Sequence, residues 1–157
     1  MNDFQSKKLI ITNDIFEKCT EFANNSVSSS VDKYSKRNQS SVSKIIEDIR
    51  NGKIAEELVW FELSKAYPDL SKPDHIIYDK KNKSWEADLK SENAKIKFAV
   101  KSQDIKSEIA YGKSWVFQYR EGAKYDCDVE IFGDSNSAYE KYVCFVWFLV
   151  WFCVNFF

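Results

Sequence analysis

Between Trp85 and Gln103 apolar and polar positions alternate in two short runs. Trp85, Ala87 and Leu89 alternate with Glu86, Asp88 and Lys90; after a connector at Ser91 to Lys95, Ile96, Phe98 and Val100 alternate with Lys97, Ala99 and Lys101. A period of two means strands with one apolar and one polar face, so the pattern predicts a hairpin. Its polar face collects Asp88, Lys101 and Gln103, with Ala99 beside them.

Upstream the spacing changes to helical. A first helix is predicted from about Asn13 to Ala23, followed by an Asn/Ser-rich stretch, Asn24 to Ser30, whose composition reads as a loop. Ser41 or Ser43 can cap a second helix carrying Ile45, Ile46 and Ile49, which Gly52 interrupts or kinks. From Lys53 to Ala66, Ile54, Leu58 and Phe61 with Ala55, Val59 and Leu63 cover a wide apolar arc. Pro68 and Pro73 bracket the next loop, and Ile76 to Tyr78 reads as a short strand. Trp115, Phe117 and Tyr119 form a further strand candidate, as do Val129 and Ile131. The apolar run Tyr142 to Phe157 is shorter than the roughly 20 residues a bilayer-crossing helix requires. It is read as a buried central strand near Val143 to Val150 with an apolar tail, with a membrane anchor or an altered chain end as the alternatives. Helices followed by several strands predict an α/β fold with a mixed sheet.

Composition narrows this picture only slightly. The chain has 157 residues, 30% charged and 16% aromatic, which suits one globular domain: a helical part over 1–50 and a core over 51–157. A net charge of −1 offers no bulk attraction to nucleic acid, so any DNA contact must rest on local positive charge. Cys19, Cys127, Cys144 and Cys153 form no Cys-x-x-Cys pair and His75 is the one histidine, a poor basis for structural zinc. Leu9 to Ile11 is too short an apolar patch for a secretory signal, so reduced thiols and a cytoplasmic setting are expected and membrane association is not.

An acid and a lysine on neighbouring strands are part of what metal-dependent phosphodiester cleavage needs. Asp88, ten residues, then Ala99-Val100-Lys101 resembles the PD-(D/E)XK nuclease superfamily, which includes many restriction endonucleases and Holliday-junction resolvases. Gly52-Lys53-Ile54-Ala55-Glu56 is similar to the helical Gly-x-x-x-Glu that many members carry before the hairpin. Lys101-Ser102-Gln103 resembles a Lys-x-Gln ending found in part of the superfamily. The match covers Gly52 to Gln103, about a third of the chain, and departs from the motif at Ala99, where an acid is expected.

The resemblance implies a restriction-endonuclease-like mixed β-sheet flanked by α-helices, and a Mg²⁺-dependent DNA endonuclease activity, with Mn²⁺ as substitute. It implies Asp88, Lys101, Glu56 and Gln103 as catalytic residues, and Asp88 and Glu56 as metal ligands. A strand carboxylate suits a hard cation that keeps several waters. A lysine beside it can orient the attacking water or stabilise charge on the phosphoryl group. The helical wheel alone does not choose among Glu56, Glu57 and Glu62; the resemblance selects Glu56. Asp74, in a literal Pro-Asp, lies too far from Lys101 for a compact hairpin and ranks second. Ala99 can neither bind metal nor move a proton, so the site is natively degenerate, altered by engineering, or completed by a neighbour such as Glu86, with Glu92 less well placed.

Double-stranded DNA is the expected partner, and a homodimer is expected by analogy with double-strand cutters. Arg37, Lys44 and Arg50, in a basic series that also holds Lys33 and Lys36, are candidate DNA contacts, as is Lys113. An ordinary solvated face explains the same charges. The rival functions are an inert DNA-binding module on the same scaffold and a small membrane-associated interaction protein.

Overall fold

The computed structural model describes residues 6–35, 41–78, 87–112, 129–136 and 143–147. Two long helices, α1 (Asn13–Ser35) and α2 (Val42–Leu63), pack against each other, and α2 lies on a five-stranded mixed sheet. The strands are β1 (Ser6–Ile10), β2 (Leu89–Ser91), β3 (Ile96–Asp104), β4 (Val129–Asn136) and β5 (Val143–Trp147), in the order β1-β5-β4-β3-β2. Only β3 and β4 run parallel, and the connection between them contains the short helix α3 (Ile105–Tyr111). The architecture is therefore a mixed α/β one. Among the described residues no helix is long and apolar enough to cross a membrane.

Ser41 caps α2: its Oγ accepts from the Lys44 N–H at 3.3 Å. Ile54, Ala55, Leu58 and Val59 on this helix are buried and meet Leu89, Phe98 and Ile131 of the sheet, with Leu9, Ile11, Cys19 and Leu70 closing the core. The helix ends where Ser64 N–H returns to Trp60 O, just before Pro68. Trp60 Nε1 then donates to Leu70 O at 3.2 Å, folding the following loop back onto the helix.

Four elements differ from expectation. The Asn/Ser-rich stretch 24–30 is helical, because α1 continues unbroken to Ser35. Ala23 and Ser26 are buried, and the Ser26 and Ser29 hydroxyls donate to the carbonyls three residues back, so the polar groups are satisfied within the helix. Gly52 lies inside continuous α2 rather than at a break. A Cβ there would sit 4.0 Å from Ser102 Oγ on β3, so helix and strand run close at this point. Ile76 to Tyr78 belongs to no strand; Asp74 holds it instead, Oδ1 accepting from Ile76 N–H at 2.7 Å and Oδ2 from the Tyr78 hydroxyl. Finally, the apolar patch around Leu9 forms part of β1, which pairs antiparallel with β5 from Ser6↔Trp147 to Ile10↔Val143.

The predicted hairpin is present as β2 and β3, in the register Leu89↔Phe98, Lys90↔Lys97 and Ser91↔Ile96. Asp69 fastens its turn, accepting from Ser91 Oγ and from Asn93 N–H, both at 2.8 Å. Ser71 runs along the outer edge of β2, its N–H donating to Lys90 O at 2.8 Å while its Oγ accepts from Lys90 N–H at 2.9 Å. The apolar run near the C-terminus supplies β5, an interior strand between β1 and β4. Trp85, the Trp115 to Tyr119 segment and the tail beyond Trp147 lie outside the described residues.

Candidate functional site

Asp88 stands just before β2, where the antiparallel ladder stops. Its Oδ2 accepts from Val100 N–H at 2.7 Å, taking the place of a backbone acceptor at the ladder's end. Continuing the register one step past Leu89↔Phe98 sets Asp88 opposite Ala99. The carboxylate is thus anchored at the backbone between Ala99 and Lys101. Oδ1 makes no hydrogen bond among the described residues.

Strand β3 separates its side chains by parity. Ser102 and Asp104 meet α2, the first beside Gly52 and the second through the Lys44 ammonium at 2.9 Å. Ala99, Lys101 and Gln103 occupy the alternate positions and so the opposite face. Lys101 is half-buried and forms no ion pair among the described residues. Gln103 is buried, and its Nε2 donates to Gly112 O at 3.0 Å, closing the C-terminal end of α3.

Glu56 lies on α2 and feels the charge of Asp88. Its side chain is 16% exposed and its Oε2 accepts from the Lys53 ammonium at 2.5 Å. Burial pushes the Glu56 carboxyl up to about 7; Lys53 opposes the rise and the Asp88 charge adds to it. The neighbouring Glu57 serves a different purpose. Its Oε1 accepts from Lys18 of α1 at 2.6 Å and lies 2.7 Å from Nε2 of His75, whose ring meets Phe22 edge-on. Burial holds the His75 pKa below its ordinary value against the pull of Glu57. Cys19, packed beside these charges, has its thiol pushed up to about 12 by burial and by Glu57. Glu62 is removed from the site by its pairing with Lys65 at 2.7 Å.

The structure therefore seats Asp88 against the backbone of Val100 and leaves Glu56, on α2, within reach of its charge. It does not pair Lys101 with either acid. It gives Gln103 a packing partner. Glu86, Arg37 and Lys113 lie outside the described residues. Sequence reasoning missed Lys53, Lys18 and His75. Lys53 was visible in principle as an i,i+3 partner of Glu56; the other two join Glu57 only through tertiary contact.

The basic candidates that are described are held by local partners. Lys44 meets Glu47, Asp48 and Asp104 at 3.3, 3.0 and 2.9 Å. Burial works against its charge, but the bonds to Asp104 and Asp48 prevail and raise its pKa. Arg50 stacks its guanidinium 4.9 Å from the centre of the Phe16 ring, and its buried Nε has no hydrogen-bond partner among the described residues. A shallow depression of about 480 Å³ is lined by α1 residues, among them Phe16, Thr20 and Asn24, and includes none of the candidate residues.

Hard oxygen donors here are the Glu56 and Asp88 carboxylates, one on α2 and one just before β2; the Asp74 carbonyl is taken by the Lys53 ammonium at 2.8 Å. That donor set fits Mg²⁺, which is commonly held by one or two carboxylates with water filling the other positions. Among the described residues no group of three or more His, Cys, Asp or Glu converges on one point. Comparison with family models yields no match to this chain. None is found among curated proteins or among solved structures.

Proposed function

We propose that this chain is a Mg²⁺-dependent deoxyribonuclease-like domain of the PD-(D/E)XK type, weakened or silenced by Ala99. The observation that supports the reading is the anchoring of Asp88 between the Ala99 and Lys101 positions through the Val100 N–H at 2.7 Å, with Glu56 of α2 within reach of its charge. In this reading Glu56 and Asp88 hold the ion. Mg²⁺ supplies polarisation of the phosphoryl oxygen and activation of the attacking water. The Val100 N–H fixes the Asp88 carboxylate, and Lys101 stabilises the charge that develops on the phosphoryl group. The methyl group of Ala99 adds no negative charge, so the cation is less neutralised and less firmly fixed than three acids would make it.

Plasmid cleavage in Mg²⁺ or Mn²⁺ tests this. The unmodified chain is expected to cut weakly or not at all, and Ala99→Glu to raise cleavage by more than about tenfold, or about 1.4 kcal/mol of barrier. Adding Lys101→Ala to that variant removes the gain. If neither form cuts with any divalent metal, the reading fails in favour of an inert DNA-binding module. One observation favours that second reading: the Lys53 ammonium lies 2.5 Å from Glu56 Oε2 and occupies that oxygen.

A further inference from the structure

His75 is seated against both long helices. Its ring is 19% exposed; Nε2 lies 2.7 Å from Glu57 Oε1 of α2, and the Phe22 ring of α1 meets it edge-on, 5.3 Å between centroids. The same Glu57 oxygen accepts from the Lys18 ammonium of α1 at 2.6 Å, so it is already ion-paired. Nε2 therefore carries the hydrogen and donates it, which leaves Nδ1 as the atom that takes an added proton. From α2 the ring also feels Lys53, whose ammonium stands 5.0 Å from the centre of the Phe22 ring and is paired in turn with Glu56. From α1 it feels Lys18, while the Cys19 thiol, pushed up to about 12 by burial, stays uncharged. On its own segment the Asp74 carboxylate is turned to the Ile76 N–H and the Tyr78 hydroxyl. A neutral imidazole suits this seat. An imidazolium is a second cation on one carboxylate oxygen, with a third across the Phe22 ring, in a half-buried place.

We propose that His75 is an acid-released latch: the neutral ring holds residues 74–78 against α1 and α2, and protonation at Nδ1 lets them go. Ile76 and Ile77 are exposed and add no apolar anchor. The Lys53 ammonium donates to the Asp74 carbonyl at 2.8 Å but is held by Glu56 as well, so it keeps a partner when that carbonyl leaves. Upstream, Pro73 is buried and Trp60 Nε1 holds Leu70 O, so release stops at a fixed anchor. Burial, aided by Lys18 and Lys53 and opposed by Glu57, lowers the proton affinity of the seated ring below its ordinary 6.5. A proton taken up below that value therefore favours the released form, and the latch is closed at neutral pH and opens as pH falls. Release uncovers the Phe22 edge and the Glu57 carboxylate.

His75 is the one histidine in the chain, so its ring resonances identify themselves. Proton NMR of the full chain in EDTA, from pH 7.5 to 5.0, tests the latch. The imidazole is expected to titrate with a midpoint below 6.5. The nuclear Overhauser contact between the His75 and Phe22 rings is expected to fall severalfold below that midpoint, while the Tyr67–Phe98 ring contact, 5.5 Å between centroids in the core, persists. Lys18→Met removes the competing cation at an exposed position. It is expected to raise the midpoint and to keep the His75–Phe22 contact at pH 5.0, and Lys18→Arg to behave like the unmodified chain. If Lys18→Met fails to fold, Lys18→Gln carries the same expectation. A midpoint at or above 6.5, or a His75–Phe22 contact that survives protonation in the unmodified chain, overturns the latch. Loss of the Tyr67–Phe98 contact at the same pH overturns it too, because the event is then global unfolding. A midpoint unmoved by removal of the Lys18 charge does the same.

Discussion

Glu56→Gln is the substitution that most directly probes the buried acid. The carboxyl is raised from 4.5 to about 7, first by burial and further by the Asp88 charge, with Lys53 pulling the other way. Each tenfold change in proton affinity is worth about 1.4 kcal/mol, so the displacement is worth up to about 3 kcal/mol of pH-dependent stability. The sign follows from proton counting. Between pH 4.5 and 7 the unfolded chain has released this proton and the folded chain retains it, so stability falls as pH rises through that interval. The contribution is fully present below the unfolded value and is gone above the folded one. His75 acts in the opposite sense: its pKa is lowered by burial, so below its ordinary value of 6.5 the unfolded chain binds the extra proton and stability rises with pH. The two effects partly cancel in the unmodified protein, and comparison with Glu56→Gln separates them. Urea denaturation followed by tryptophan fluorescence, in EDTA at intervals from pH 4.5 to 8.5, provides the measurement. The stability difference between the unmodified chain and Glu56→Gln should shift by about 1–3 kcal/mol against the unmodified chain as pH rises, and then level off. A difference that stays constant across that range refutes the claim that Glu56 is held protonated by its surroundings.

Two further substitutions probe what positions the site. Asp104→Ala removes both the Lys44 partner at 2.9 Å and the acceptor that caps α3 at the Lys106 N–H, 2.7 Å away, and should cost about 1–3 kcal/mol in urea denaturation at pH 7. Burial opposes ionisation of Asp104, but Lys44 and the Lys106 N–H outweigh it and hold the pKa below 3.8, so this stabilisation is present above pH 3.8 and should disappear as pH falls beneath it. Leu58→Ala, in the middle of the α2–sheet contact, should cost about 2–5 kcal/mol by the same assay.

Local sequence determined the hairpin and the core face of α2, because each depends on a short-range period. Alternation at Leu89 and from Ile96 to Val100 fixes which side chains share a face. Ile54, Leu58 and Val59 fix which side of α2 turns inward, and Ser41 fixes where the helix begins. The tertiary structure decided what local propensity gets wrong. Asn24 to Ser30 lacks strong helix formers, yet packing of Ala23 and Ser26 keeps α1 helical, since helices in proteins draw most of their stability from such packing. Gly52 weakens a helix interior by about 1 kcal/mol, but α2 packs against both α1 and the sheet, so the helix continues through it. Ile76 and Ile77 carry the composition of a strand, yet both are exposed and held by Asp74, because the edge of β2 is taken by Ser71. The choice between Glu56 and Glu57 was likewise beyond any helical wheel. The two are neighbours on one helix, and only the approach of Lys18 and His75 on one side, and of Lys53 and Asp88 on the other, gives them different chemistry. Lys53 is a helix neighbour three residues away, but Lys18, His75 and Asp88 come from distant stretches of chain, and their placement is a property of the packed molecule rather than of any local pattern.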